Sequence, residues 1–529
     1  MGRTVLRSGP SQYMSRKTRL PYCPCRCLIR DLFSKPDSPD LWPKGPALAN
    51  DKVRIRFEGR TLEVRPDTSV AVGLWENGIR HLSHSPKYGL PRGVTCARGH
   101  CTACLMRIDG VPNVRSCELP VREGMDIRRQ DAGAFYAAPM QKTLALGASF
   151  FPVGFYFKWF TRPAALSRFF LERIRPLTGV GRVPGPEHAR PPLREAAAAG
   201  DTAAAPAADL GRFDTVVVGA GPSGLAAAAR AAGSVLILDD HSTTGGQRYG
   251  ALRHLADHAQ DVLDRFGVLG RALARVEDAR SLAAGRDGVT FRAGARAIAG
   301  YHPDGLLVRT ADRLATVRFD SLVWAAGALD TLGLFPGNDT PGVVGPRALY
   351  RLLVRDGMVV KGRRVLVIGS GLDFWLSAAL LASRGARLEL VATAADDPAE
   401  ISAAAALRWP LHTGRELAEV NGLRDGRLKA TFTRDRSADG GPDSRLEMDA
   451  DLAVVCRRGK PAYDVPYQLG ADLRLQPERG GFVLPADGDS EPGCTRCTLP
   501  GGAILAAAGE AAGHPPGRPL GPAGEGAES

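Results

Sequence analysis

Hydrophobic and polar residues alternate over residues 53–64, interrupted by the pair Glu58-Gly59. An alternation with a period of two indicates strands buried on one face, and a turn-forming pair between two such strands indicates a β-hairpin. The apolar residues that follow, at 70–78, are predicted to form a short helix. A further hairpin is predicted within residues 105–117, with its turn at Asp109-Gly110.

Two later segments show a different pattern, in which an apolar run leads through a glycine-rich turn into a helical stretch. The first segment begins at Phe213 and the second at Val365, and a strand-rich stretch separates them. After Asp451 the pattern returns to strands, and the last predicted strand runs into residues 504–510. A strand–helix–strand alternation of this kind predicts parallel sheets covered by helices.

These patterns divide the chain into seven segments. They are an irregular tail (1–50), a cysteine-rich domain (51–130), a connector and linker rich in alanine and proline (131–212), a first dinucleotide domain (213–335), a second Rossmann-like domain (336–450), a return to the first dinucleotide domain (451–513) and a second tail (514–529).

The composition indicates a soluble globular protein with several domains. The chain has 529 residues, of which 44% are hydrophobic and 24% are charged. No stretch reaches the roughly 18 uncharged apolar residues that a membrane-spanning helix needs. The closest stretch, 144–157, contains a proline and two glycines and is predicted to pack against another domain or another protein chain.

The net charge of +13 comes mostly from arginines that are spread along the chain. A nucleic-acid interface would concentrate such charge in a stripe with interleaved aromatic residues, so we do not predict nucleic-acid binding. A diffuse positive charge favours an acidic partner protein or an anionic cofactor. Because no apolar segment with a small-residue cleavage site follows the basic N-terminal residues, a cytoplasmic location is predicted.

The strongest candidate for chemistry is a set of cysteines spaced C-x4-C-x2-C-x12-C, namely Cys96, Cys101, Cys104 and Cys117. A [2Fe–2S] cluster needs four thiolates that converge from one side, and a tight loop with small residues can supply three of them. The fourth cysteine is predicted to return on the second strand of a hairpin. A zinc site and a thiol loop without a metal are the alternatives, but zinc ligands usually come as two close cysteine pairs, and only one pair is present here.

Two other groups of cysteines carry a weaker signal: Cys23, Cys25 and Cys27 in the tail, and Cys494 and Cys497 near the end of the chain. The first group has no fourth ligand close to it. A C-x2-C dithiol can act together with a flavin, but no neighbouring pattern supports that role for the second group. We therefore assign no site to either group.

The first α/β segment contains the motif G-x-G-x-x-G between a strand and an alanine-rich helix. Its predicted cofactor-binding residues are Gly219, Gly221, Pro222, Ser223, Gly224 and, at the end of the next strand, Asp239. The first glycine allows a tight turn, the second lets a pyrophosphate approach the backbone, and the third lets helix and strand pack closely. The acid can bind a ribose hydroxyl, so a dinucleotide site is predicted, with FAD and NAD both open.

The second α/β segment keeps two of the three glycines. Gly369 and Gly371 are candidate nucleotide contacts, but Phe374 stands at the position of the third glycine. The next strand leads into Ala392 and Thr393 instead of an acid. NAD(P) binding at this second site is therefore uncertain, and the alternative is a Rossmann unit kept for packing or docking.

Several further stretches are similar to those of one family: residues 85–93, 152–158, 245–247, 335–342 and 508–510. The chain resembles the N-terminal half of the alpha subunit of heterotetrameric sarcosine oxidase, and related subunits of hydrogen cyanide synthase and opine oxidases. The resemblance runs from about residue 53 to residue 513. It implies a β-grasp ferredoxin-like domain followed by a two-dinucleotide-binding FAD/NAD(P) fold, an α/β and α+β architecture.

The resemblance also implies site residues and a partner. Gly246 and Gln247 are implied to contact the first dinucleotide, as are Gly509 and Glu510 of the late motif. In these complexes the amine is oxidised on a separate, flavin-bearing beta subunit. The chain departs from sarcosine oxidase alpha subunits in having all four cluster cysteines and in lacking the folate-binding half. His514 and the prolines after it also replace the usual helix.

The leading hypothesis is an electron-transfer, alpha-type subunit of an amine or amino-acid dehydrogenase or oxidase with sarcosine-, opine- or proline-like substrates. No catalytic acid or base is nominated, and the electron acceptor stays open. A stand-alone NAD(P)H-dependent flavin and [2Fe–2S] reductase is the second hypothesis. The third is a non-catalytic scaffold subunit with a structural nucleotide.

Overall fold

The computed structural model describes residues 52–85, 90–130, 163, 165–167, 169, 207–301, 305–310, 313–393, 397–434, 445–471 and 473–476. It also describes the backbone of the strands at 481–483, 494–498 and 504–508. The predictions for the two tails, for most of the connector, for the stretch 144–157 and for Gly509 and Glu510 lie outside these residues.

The cysteine-rich segment folds into a five-stranded sheet with one helix packed on it. Its elements are β1 (Val53–Phe57), β2 (Arg60–Val64), α1 (Val70–Glu76), β3 (Ser83–His84), β4 (Pro91–Arg92), β5 (Leu105–Ile108), β6 (Val111–Arg115) and β7 (Asp126–Arg129). The strand order is β2-β1-β7-β5-β6. Only β1 and β7 run parallel, and the other neighbours are antiparallel. The predicted hairpins and the predicted helix are all present.

The alternation of apolar residues explains how this sheet and helix meet. Ile55 on β1 and Met106 on β5 are fully buried, and they pack beneath Leu74 of α1 in one core. Ser69 begins the helix because its side-chain oxygen accepts a hydrogen bond from the backbone N–H of Val72.

The first α/β unit follows with a mostly parallel sheet. Its elements are β8 (Ala208–Val218), α2 (Pro222–Arg230), β9 (Val235–Leu238), α3 (Tyr249–His258), α4 (Gln260–Arg265), α5 (Gly267–Ala284), β10 (Val289–Arg292), β11 (Arg296–Tyr301), β12 (Gly305–Arg309) and β13 (Leu314–Trp324). The strand order is β10-β9-β8-β13-β12-β11. Strand β8 begins at Ala208, inside the predicted linker, because its first residues extend the ladder with β13.

The second α/β unit has its own parallel sheet. Its elements are β14 (Ala328–Leu329), β15 (Val343–Val344), α6 (Pro346–Tyr350), a π-helical turn (Arg351–Arg355), β16 (Arg364–Gly369), α7 (Leu372–Ser383), β17 (Arg387–Ala392), α8 (Pro398–Ala406), β18 (Leu411–Thr413), β19 (Arg415–Gly422), β20 (Leu428–Arg434), β21 (Leu446–Ala450) and β22 (Leu452–Cys456). The parallel order is β15-β22-β16-β17-β18, and β19, β20 and β21 form a separate antiparallel sheet.

Strand β22 corrects one predicted boundary. The return to the first unit was predicted at residue 451, but β22 lies between β15 and β16 in the second sheet. All five of its residues are buried, so it belongs to the centre of that sheet. The return follows it, because β27 pairs in parallel with β13 of the first sheet. The last elements are β23 (Lys460–Pro461), α9 (Asp464–Gln468), β24 (Arg474–Gln476), β25 (Gly481–Val483), β26 (Cys494–Thr498) and β27 (Ile504–Ala508).

The β-grasp domain and the second unit share a hydrophobic core. Val72 and Trp75 of α1 pack in one buried cluster with Leu352 and Met358, which lie in and just after the π-helical turn. Ala97, in the cysteine loop, belongs to the same cluster. The cysteine loop therefore lies against the dinucleotide fold. Among the described residues no helix has the length and apolarity needed to cross a membrane.

Candidate cluster and dinucleotide sites

The hairpin of β5 and β6 brings Cys104 and Cys117 together at its open end. Ser116, beside Cys117, donates to the backbone oxygen of Cys104 from its backbone N–H at 3.2 Å and from its hydroxyl at 2.9 Å. Ser83 donates its hydroxyl to the oxygen of Ala103 at 2.8 Å. These bonds hold the two buried cysteines at the base of the loop that carries Cys96 and Cys101.

The loop wraps its backbone around the sulfur of Cys96. The N–H groups of Arg98 and Cys101 point to this sulfur, with nitrogen–sulfur distances of 3.5 and 3.4 Å. The backbone of Gly99 has a φ of +69°, and a Cβ atom there would lie 2.2 Å from a carboxylate oxygen of Glu118. Glycine is therefore required for the chain to turn tightly enough to present N–H groups to sulfur.

The four thiols form two hydrogen-bonded pairs. Cys101 donates to Cys96, and this bond, with backbone N–H groups, lowers the pKa of Cys96 to about 5. The hydrogen bond that Cys101 donates to Cys96, together with burial, raises the pKa of Cys101. In the second pair, the hydrogen bond between Cys117 and Cys104 lowers the pKa of Cys104 and raises that of Cys117. Four reduced cysteines in one small volume, with peptide donors aimed at sulfur, match what a [2Fe–2S] cluster requires.

The glycine motif of the first unit has the geometry that a diphosphate needs. A Cβ atom on Gly219 would lie 2.2 Å from the oxygen of Ala325, and one on Gly224 would lie 1.9 Å from the oxygen of Gly219. A Cβ atom on Gly221 would have no neighbour nearer than 3.9 Å. Two glycines therefore serve close packing and one leaves open space. Because Gly221 is also the N-cap of α2, no side chain blocks the free N–H groups of that helix.

Asp239 lies at the carboxyl end of β9, beneath this turn. One of its carboxylate oxygens accepts from the N–H of Ala220 at 2.6 Å, and the other accepts from the N–H of His241 at 2.8 Å. The side chain is therefore fixed beside the glycine turn, where an acid can reach a ribose.

Gln247 supplies an independent sign of a missing ligand. Its side-chain oxygen is buried and has no hydrogen-bond partner among the described residues. A buried amide oxygen is normally paired, so a donor from a bound cofactor would satisfy it. The loop before it lies over the phosphate turn, since a Cβ on Gly246 would be 3.0 Å from the Cα of Gly221. The residues present therefore fit a dinucleotide such as FAD or NAD.

The second unit differs from the first at the positions that correspond to the dinucleotide site. A Cβ on Gly369 would lie 2.1 Å from the oxygen of Cys456, so this glycine serves packing, whereas one on Gly371 would meet no atom within 4 Å. Phe374, at the third glycine position, is fully buried. Asp373, in the first turn of α7, places a carboxylate where the diphosphate charge of a nucleotide would be attracted.

Asp373 is held as an anion by its neighbours. Arg248 donates to its two oxygens at 2.6 and 2.7 Å, and the hydroxyl of Tyr350 donates at 3.0 Å. Burial alone would raise the pKa of Asp373, but Arg248 and Arg347 hold it well below its ordinary value. A second anion at this helix end would be repelled, and these two arginines are already paired.

Residues 50–132 match the family model of the 2Fe-2S iron-sulfur cluster binding domain. The chain is 28% identical over 328 residues to the alpha subunit of sarcosine oxidase from Rhizobium meliloti (strain 1021), a match of 59% of this chain and 31% of that relative. It is 31% identical over 188 residues to the A subunit of opine oxidase from the same organism, covering 35% and 39% of the two chains. The HcnA subunit of hydrogen cyanide synthase from Pseudomonas aeruginosa is 30% identical over 83 residues, 16% of this chain and 79% of that one.

Through its N-terminal domain the chain belongs to the family that includes the HcnA subunit. It spans 31% and 39% of the length of the two oxidase relatives. Its fold is similar to that of L-proline dehydrogenase from P.horikoshii, with a TM-score of 0.51 and 17% identity over 86% of this chain and 68% of that chain. The predicted fold class is therefore confirmed: a ferredoxin-like domain precedes a two-dinucleotide fold. The prediction of a [2Fe–2S] cluster is also confirmed, because the N-terminal domain matches a domain family that binds this cluster.

Residues that were not predicted from the sequence lie beside Asp239 in the first unit. Asp240 and His241 follow Asp239, and the ring Nδ1 of His241 lies 3.0 and 2.9 Å from carboxylate oxygens of the two aspartates. Arg351 donates to the other ring nitrogen of His241 at 3.0 Å. Arg296 pairs with Asp240 at 2.7 Å. The acidic run Asp-Asp-His was visible in the sequence, but no local pattern pointed to arginines so far along the chain.

Asp239, Asp240 and His241 also have the ligand atoms of a metal site within 4.8 Å of one another. Arg296 pairs with Asp240, Arg351 donates to His241, and the bonds among the three residues already engage these atoms. The group is better explained as the polar edge of the first dinucleotide site.

Proposed function

We propose that this chain is the electron-transfer subunit of a multi-subunit dehydrogenase or oxidase that acts on the CH–NH bond of amines or amino acids. The observation that carries the proposal is the convergence of the four thiols beside a fold with two α/β units. In the first unit the start of helix α2 is open and has no acidic residue in its first turn. In the second unit the corresponding helix has a carboxylate in its first turn. The names of the sarcosine and opine oxidase relatives support the substrate class.

In this proposal Cys96, Cys101, Cys104 and Cys117 are the ligands of the [2Fe–2S] cluster. Residues 219–224 hold the diphosphate of the first dinucleotide, Asp239 holds its ribose, and Gly246 and Gln247 lie over it. Gly509 and Glu510 stay a prediction from the family resemblance. Gly369 and Gly371 are proposed to shape the backbone of the second unit without binding NAD(P).

Residues 219–224 would hold FAD, which would supply a group able to accept two electrons together and release them singly, as a one-electron cluster requires. The protein keeps Cys104 and Cys117 buried, and its peptide N–H groups stabilise negative charge on the sulfur of Cys96. Within the described residues neither sequence pattern nor geometry nominates a catalytic acid or base. Substrate oxidation is therefore assigned to a flavin-bearing, beta-type partner subunit.

The proposal is tested by comparing the purified chain, a candidate flavin-bearing partner and their complex. Each is supplied with sarcosine, an opine or L-proline and with a redox dye. We expect dye reduction only by the complex. With Cys104→Ser the substrate should still bleach the partner's flavin in a single turnover, while steady dye reduction through this chain is lost.

Cys456→Ser is the matched control, because Cys456 is also buried but lies on β22 away from the loop. It should leave dye reduction unchanged. The proposal is rejected if the lone chain oxidises any of these substrates as fast as the complex does.

The competing functions give different results with the lone chain. A stand-alone reductase would show rapid bleaching of a bound flavin by NADH or NADPH. The pairing of Asp373 with Arg248 opposes that outcome, because Arg248 is already bound to a carboxylate and is not available to a diphosphate. A colourless protein that holds a nucleotide but no iron would instead indicate a scaffold subunit.

A further inference from the structure

The π-helical turn Arg351–Arg355 of the second unit reaches the cysteine loop with both of its arginines. Arg355 donates from Nη2 to the backbone oxygen of Cys117 at 2.8 Å. Arg351 donates from Nη1 to the backbone oxygen of Ala97, next to Cys96, at 3.4 Å. Residues four apart lie on one side of a helix, so both arginines of this turn can bind the backbone of the cysteine loop.

The two arginines differ in what neutralises them. Arg355 is paired with the fully buried Asp356 at 2.5 Å, and the hydroxyl of Ser69 donates to the same carboxylate at 3.1 Å. Arg351 has no carboxylate within ion-pair distance among the described residues. Its side-chain partner is His241, whose Nε2 atom lies 3.0 Å from a terminal nitrogen of Arg351. The Nε atom of Arg351 is buried without a hydrogen-bond partner in the part of the chain that the structure describes.

We propose that Arg351 and Arg355 are positioning residues that hold the cysteine loop against the second unit, and that Arg351 also raises the reduction potential of the cluster. The proposal rests on the assignment of the four cysteines as cluster ligands. Reduction adds one negative charge to a cluster, so a nearby buried cation stabilises the reduced state. Arg355 and Asp356 together add no net charge, whereas Arg351 contributes one positive charge.

The test compares reduction potentials of the iron-loaded, full-length chain by a redox titration followed by electron paramagnetic resonance. Arg351→Gln removes a charge, and Arg351→Lys keeps it. Arg355→Gln combined with Asp356→Asn removes the hydrogen bond to Cys117 without changing net charge. Arg363→Gln is the matched control, since Arg363 is also an arginine of the second unit that contacts the β-grasp domain, over the ring of Trp75.

We expect Arg351→Gln to reduce the ratio of reduced to oxidised cluster about tenfold at the wild-type midpoint, which equals about 59 mV for one electron. The Lys variant and the charge-neutral double variant should change this ratio much less, and Arg363→Gln should not change it.

An unchanged potential in Arg351→Gln with intact iron would overturn the inference, as would an equal shift in Arg351→Lys. If Arg351→Gln does not retain iron, Arg351→Lys decides: because lysine keeps the charge, a shift of about tenfold in this variant would overturn the inference. A wild-type chain without iron would instead refute the proposed function.

Discussion

Asp373 is a largely buried charge of the second unit, with its side chain 12% exposed. Arg248 donates to both of its carboxylate oxygens, at 2.6 and 2.7 Å. The hydroxyl of Tyr350 donates at 3.0 Å, and a terminal nitrogen of Arg347 lies 3.7 Å away. Replacing Arg248 with Met keeps an unbranched apolar stem of similar reach. It removes both strong hydrogen bonds from a carboxylate that stays in place.

The expected loss follows from the charge left behind. Breaking a buried ion pair from one side costs about 3–5 kcal/mol, because the remaining group stays desolvated without its partner. Tyr350 and Arg347 still contact Asp373, so we expect Arg248→Met to lower the free energy of unfolding by about 3 kcal/mol. Adding Asp373→Asn removes the stranded charge and should recover about half of this loss, since the two residues share one interaction.

The measurement is urea unfolding at neutral pH, followed by near-ultraviolet circular dichroism. Arg253→Met is the control on the same helix, α3: Arg253 pairs with Asp257 at 2.8 Å, with side chains 33% and 48% exposed. That exposed pair should contribute less than about 1 kcal/mol. If Arg248→Met costs no more than Arg253→Met, then Asp373 is not a desolvated carboxylate and cannot be what excludes a diphosphate from this helix end.

Three further predictions concern the same sites. Burial alone would raise the pKa of Asp373, but Arg248 and Arg347 lower it; its stabilising effect is therefore present above about pH 4 and lost below. Asp373→Asn should lose less stability than the wild type during acid unfolding, and equal losses would contradict this. Cys104→Ser should lose iron and visible absorption while Cys456→Ser keeps both, and iron retention in the first would exclude Cys104 as a ligand. Gly221→Ala should fold but be purified with less nucleotide, because its Cβ meets open space, whereas Gly224→Ala should lower the melting temperature even without nucleotide.

The features that could be predicted from the sequence depend on residues close together in the chain. The turn at Gly219 needs only its neighbouring strand and helix, and the structure gives it a φ of +105°. The hairpin that presents Cys104 and Cys117 follows from alternation and one turn. Alternation alone does not predict the order of the strands in the sheet, and the β-grasp order was expected only from the family resemblance.

The features that could not be predicted join residues that are distant in the chain. Arg248 and Asp373 are 125 residues apart, and Arg351 and His241 are 110 apart. A single arginine on a helix gives no local sign of its partner. The assignment of β22 failed for a related reason: an apolar strand fits the centre of either parallel sheet, and only the pairing with β16 decides between them.

The second unit retains a complete sheet although its nucleotide-binding residues are altered, and its contacts with the β-grasp domain explain why. Arg65 donates to the backbone oxygens of Asp356 and Gly357 at 3.2 and 3.0 Å. Arg80 donates to the backbone oxygen of Asp451 at 2.7 Å and pairs with its carboxylate at 3.1 Å. The second unit is thus tied at two points to the domain that carries the cysteines. A unit that fixes the cysteine loop beside the first unit needs its strands and its charged contacts whether or not it holds a cofactor.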